Sequence, residues 1–162
     1  EDAGCESYSP DGDACDPAWS LNEYGRQYNW YAVDDSRGLC PSGWHVPTDG
    51  EWMTLEIELG MTEAEANGAG WRGTDQGSQM KATYGWSNGG NGNNSSGFAG
   101  LPSGYRAFTG NFGGAGLSEH WWSSSSSSSL AWYRSLNHAA NPGVFREASY
   151  HANGNSIRCV KD

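Results

Sequence analysis

The clearest hydrophobic periodicity in the chain begins at Thr48. Trp52, Leu55 and Leu59 recur at helical spacing and share one face, with polar residues between them. Thr48 and Glu51 make a capping-box signature, Pro47 precedes it, and Gly60 is a natural stop. A second box, Thr62 with Glu65, opens a shorter helix that Gly68 ends. Upstream, residues 28–33 read as either a strand or a short helix, because the pattern fits both. The stretch 67–100 is rich in Gly, Asn and Ser, with Trp71 and Trp86 as anchors, and has the length of a structured long loop. After Leu101 the pattern turns to β, with strands expected at 104–108, 120–124, 131–136, 143–150 and 156–161. In the third, Trp132, Arg134 and Leu136 alternate with Ala131, Tyr133 and Ser135, the period of a half-buried strand. Helices first and strands afterwards predict an α+β fold.

Composition decides how such a fold is held together. The 162 residues suit one domain. Only 18 are Leu, Ile, Val or Phe, and the net charge is −10, a pairing that normally signals disorder. Nine Trp and eight Tyr reverse that expectation, since a few large rings can build a small core. Charge is uneven: residues 1–25 carry seven acids and no base, and the other 137 carry twelve acids and nine bases. Residues 1–23 are therefore read as an acidic, loop-rich arm, and 24–162 as one folding unit. The acidic balance argues against nucleic acid as a partner. No hydrophobic run approaches the ~20 residues of a membrane span. Glu1 is not an initiator Met and no signal peptide is visible, so a mature or excised form is expected.

The chemistry-bearing residues are dispersed. Cys5, Cys15, Cys40 and Cys159 contain no CxxC pair, and His45, His120, His138 and His151 are scattered, so zinc clustering is lacking. Disulfides are the expected use, with three connectivities open, and they imply an extracellular or cell-surface location. No GxSxG, P-loop or HExxH occurs, and a non-enzymatic role without cofactor is expected. Glu56 and Glu58, two apart on the predicted helix, face different ways and read as a solvated face. Asp11, Asp13 and Asp16 offer oxygens to calcium, but EF-hand spacing is missing and a solvated acidic loop is the simpler reading. Asn93 and Asn94 each open an Asn-x-Ser sequon. The seven-serine run Ser123–Ser129 reads as a flexible loop, with O-glycosylation of residues such as Ser123 and Ser124 as the alternative. Trp121 and Trp122 could stack on sugar rings. As strand neighbours they face opposite ways, so at most one can be exposed, and core packing is the preferred reading.

Ordered blocks over residues 24–162 carry a resemblance. Tyr24-Gly25-Arg26 with residues 28–33, then Gly38–Trp52, Asn94–Arg106, Trp121–Ser124 with Ala131–Arg134, and Ile157–Asp162 resemble the Fibrobacter succinogenes major paralogous domain. That resemblance implies a C-type-lectin-like domain with two short helices, a twisted antiparallel sheet and long Gly/Ser/Asn-rich loops. It favours Cys5–Cys15 as a local loop, similar to the family's N-terminal pair, and Cys40–Cys159 as a long clamp. It also implies a further strand ahead of Cys5; the chain begins just before that cysteine, so the strand is expected to have been cut away, not included, or replaced by a neighbouring chain pairing with the vacant sheet edge. The Pro47–Trp52 phrase looks like the helix start of the formylglycine-generating group, whose reactive cysteine has no counterpart here. Sugar-binding lectins of this type use Glu-Pro-Asn or Gln-Pro-Asp with a second acidic pair, whereas Asn141-Pro142-Gly143 has no carboxylate beside the proline, so calcium-dependent sugar binding is not expected. The functional expectation is an extracellular structural module that associates with copies of itself, as a fibre or surface-layer subunit. The alternative is a secreted lectin-like module that binds glycans or another ligand.

Overall fold

The structure, a computed structural model, describes residues 17–138 and 142–162. The chain runs through α1 (Pro17–Tyr24), β1 (Tyr28–Asn29), α2 (Trp30–Val33), β2 (Trp44–His45), α3 (Asp49–Glu58), α4 (Glu63–Asn67), β3 (Gly70–Arg72) and α5 (Gln76–Met80). A 3-10 turn at Ser87–Gly89 leads to β4 (Tyr105–Arg106), β5 (Phe112–Gly113), β6 (Ser118–Ser127), β7 (Leu130–Asn137), β8 (Val144–Tyr150), β9 (Gly154–Asn155) and β10 (Val160–Lys161). The class is α+β, with antiparallel sheets. Five helices rather than two lie among the described residues. Residues 17–23, expected within a loop-rich arm, belong to α1. Segment 28–33 is both of its readings in turn, a strand and then one helical turn that Asn29 caps.

Both capping boxes form. Thr48 accepts the Glu51 N–H while Glu51 reaches back to the Thr48 backbone, and Thr62 with Glu65 repeats the arrangement. The main sheet has the order β3-β8-β7-β6, with β6 and β7 joined as a hairpin. A smaller sheet, β1-β9-β4-β5, is stitched to β6 by bridges at Gly104–Glu119 and Trp121–Ser156. The pair β2–β10 closes the domain. Beside it Cys40 is bonded to Cys159, a separation of 119 residues. Cys5 and Cys15 lie outside the described residues. Also at this closure, His45 sets Nδ1 2.6 Å from an Asp162 carboxylate oxygen and Nε2 2.8 Å from Glu51. Hydrogen bonds to Asp162 and then Glu51 raise its pKa.

The serine run departs from its loop reading. Ser123–Ser127 extend β6, and Ser128 and Ser129 make the hairpin turn, Ser128 with a positive φ of 60°. Pairing with β7 is interrupted between Trp122 and Ser126. The released backbone is used elsewhere: the Ser124 N–H donates to the Pro47 carbonyl, and the Ser123 carbonyl accepts from Trp30 Nε1. Ser125 Oγ accepts the Asp49 N–H, one of the donors that the first turn of α3 cannot satisfy internally.

The core has two parts, one on each face of β6. Trp121 joins Trp52, Met61, Met80, Trp86, Leu136 and Val144; Trp122 joins Trp30 and Ala131. Between α3 and the sheet lies a charged cluster. Arg72 grips Glu56 with two hydrogen bonds of 2.8 Å, and Arg134 Nε reaches the same carboxylate at 2.6 Å. Arg134 and Arg146 both donate to Asp49, at 2.6 and 2.7 Å. Burial would raise the Asp49 pKa, but the hydrogen bonds from Arg146 and Arg134 prevail and hold it low. Glu56 is therefore not part of a solvated face: it is 0% exposed. Nor is β7 half-buried, because Ala131 and Leu136, on opposite faces, are both fully buried. The last expected strand shrinks to Val160–Lys161, with Gly154–Asn155 pairing separately.

Candidate functional site

One face of the main sheet carries a row of rings. Trp71 on β3 and Phe145 on β8 are partners across the strands, and their centroids lie 5.2 Å apart. Phe145 is 6.1 Å from Tyr133 on β7, which stacks on His120 of β6 at 5.3 Å with planes only 4° apart. Tyr105 of β4 closes the row, 4.8 Å from His120. Strand alternation puts these side chains on the face opposite the Glu56–Asp49 cluster. Two ends of the row are open, Trp71 at 42% and Tyr105 at 37% exposure. Phe112, which packs under the Arg106 guanidinium, and the Phe108–Tyr150 pair add exposed rings on neighbouring segments.

The rings themselves are uncharged, while Glu147, the cross-strand partner of Tyr133, sets one exposed acidic side chain on the same face. Sandwiched between two rings, the His120 imidazole is desolvated and its pKa falls to about 4, so it is neutral near pH 7. Burial, followed by the charge of Glu147 and by Tyr105, lifts the Tyr133 hydroxyl to about 12. Of the central rings only His120 and Tyr133 are parallel; Phe145 is tilted 54° to Tyr133.

A second feature lies at the same end of β6 but on its opposite face, since Glu119 and His120 are strand neighbours. Glu119, Ser103, Ser156, Arg158, Trp121, Leu101, Ile157 and residues of α1 line a cleft of about 140 Å³. The Glu119 carboxyl is buried and accepts the Ser103 N–H at 2.5 Å, while Ser103 and Ser156 hydroxyls lie 3.0 Å apart. Burial raises the Glu119 pKa to about 8; hydrogen bonds from Ser103 and Ser156 and the charge of Arg158 oppose this without cancelling it.

The residues singled out from sequence do not converge. Trp121 and Trp122, the candidate stacking residues, are 3% and 0% exposed, so neither offers a ring face to a ligand. Both belong to the core because each face of β6 is covered. Ser123 is fully buried, which removes it as a glycosylation position; Ser124 is half-buried. Asn93 is exposed, and its side chain accepts the Ser95 N–H. Asn94 adopts φ 50° and accepts the Ala99 N–H, the role of a turn residue. Asp11, Asp13 and Asp16 lie outside the described residues. Trp86 anchors its loop as expected, whereas Trp71 points outward. The ring row itself escapes sequence reading, since it draws on five strands; the only local signal is Phe145 two residues before Glu147, on a face distinct from Val144 and Arg146.

These features define a disulfide-closed α+β domain with an aromatic sheet face. The chain belongs to the Fibrobacter succinogenes major domain family, whose model matches residues 9–161. No curated protein and no solved structure matches it.

Proposed function

We propose that this protein is a non-enzymatic structural module of the extracellular space or cell surface, built as a C-type-lectin-like domain. It associates with copies of itself, as the subunit of a fibre or surface layer, through the aromatic face of its main sheet. The observation that carries this reading is the continuous row Tyr105–His120–Tyr133–Phe145–Trp71, open at both ends. Contiguous exposed apolar surface is a common mark of an interaction site. A second copy must approach against a net charge of −10, so association strengthens as salt screens the repulsion. The alternative, a secreted module that binds glycans or another cell-surface ligand, draws on the exposed Trp71 ring.

Light scattering across protein concentration, at low and physiological salt, tests the reading. The expected result is a mass-average that grows with concentration and with salt, and a Trp71→Glu variant that stays monomeric. A monodisperse monomer at high concentration under both conditions overturns it. A monomer retained on a glycan array supports the alternative.

A further inference from the structure

The Glu119 cleft lies apart from the aromatic face proposed for self-association. Its volume, about 140 Å³, is close to the ~150 Å³ of an apolar cavity that accommodates benzene. Its lining is mixed, with the apolar Leu101 and Ile157 beside the polar Ser103–Ser156–Glu119 group. At the edge stands Arg158, exposed and stacked at 4.6 Å over the Phe98 ring. One Nη of Arg158 donates to the Phe98 carbonyl, and no carboxylate among the described residues forms an ion pair with it. A guanidinium has five N–H donors in a planar fork that matches a carboxylate. The titratable and charged groups around Glu119 are thus Arg158 on the closing segment and Glu23 and Tyr24 on α1.

We propose that this cleft binds a small organic monocarboxylate, its carboxylate held by Arg158 and hydrogen-bonded by the Glu119 carboxyl, its short apolar tail against Leu101 and Ile157. A single cation suits a single negative charge, and the acidic Glu23 at the rim disfavours dianions. At neutral pH Glu119 still carries its proton and can donate to an acceptor, as a protonated buried carboxyl does elsewhere. Ionisation above pH 8 sets two carboxylates against each other and weakens binding.

Titration of the nitrogen-15-labelled protein with butyrate, followed by NMR, is the test; butyramide serves as the neutral analogue. At about pH 6.5 the expected result is saturable shifts at Ser103, Ser156 and Arg158 with a Kd on the order of 1 mM. Butyramide and the Arg158→Gln variant should each bind about tenfold more weakly. Affinity of the unaltered protein should fall toward pH 9, while Glu119→Gln, which keeps a neutral donor, should lose this dependence. The proposal is overturned by an absence of saturable shifts, by equal binding of butyramide, by an unchanged Kd in Arg158→Gln, or by an affinity constant across this pH range.

Discussion

At Glu56, three hydrogen bonds from two arginines meet on a carboxylate with no access to water. Such a pair need not make the fold more stable than a well-packed apolar substitute, because desolvation offsets much of the attraction. Losing one partner is different: it strands the others. Arg72 also holds the Ala66 carbonyl, and Arg146 holds those of Asn67 and Gly68, so the cluster fastens α4 as well as α3 to the sheet. Arg146 further lies 4.0 Å over the Trp132 ring. The Glu56→Gln substitution preserves shape and removes the charge facing Arg72 and Arg134. It is expected to cost about 3–5 kcal/mol of unfolding free energy, measured by urea denaturation, whereas Glu58→Gln on the exposed side of the same helix should stay within about 0.5 kcal/mol.

Elements are fixed by partners that local sequence does not announce. The interruption in β6 after Trp122 frees Ser123–Ser125 from β7 and turns them toward α3 and Trp30. Serine is small enough for that crowded junction and polar enough to satisfy the donor at Asp49. Ser125→Ala should therefore destabilise the protein by about 1 kcal/mol, while Ser127→Ala, exposed near the hairpin turn, should be neutral within about 0.5 kcal/mol. Thermal unfolding of the two variants side by side gives the comparison. The helix that donates this bond was legible from Thr48 and Glu51, since a capping box is complete within four residues. Its docking was not, because Ser125 lies 76 residues away.

For the molecule as a whole, closure depends on Cys40–Cys159 and the adjoining β2–β10 pair. Few regular contacts support this corner: β2 and β10 are two residues each, and Trp44 is exposed. A crosslink across 119 residues restricts the unfolded chain strongly, and removal of such a bridge typically costs about 2–5 kcal/mol. Replacing Cys40 and Cys159 together by Ser should lower the melting temperature substantially, by calorimetry, and the loss should exceed that of Ser125→Ala.

Local chemistry set the parts that short stretches can specify: the two capped helices, the β-rich second half, and the opposed directions of Trp121 and Trp122. Those features depend on neighbours a few residues apart, where backbone sterics and period decide. The pattern around Glu56 and Glu58 misled, because an acidic residue on a helix is ordinarily solvated and the arginines that bury Glu56 come from β3 and β7. Burial on both sides of β6 and β7, the aromatic row and the Glu119 cleft all arise where strands distant in the chain are brought together. Their chemistry is a property of which side chains end up adjacent, and only the packed structure settles that.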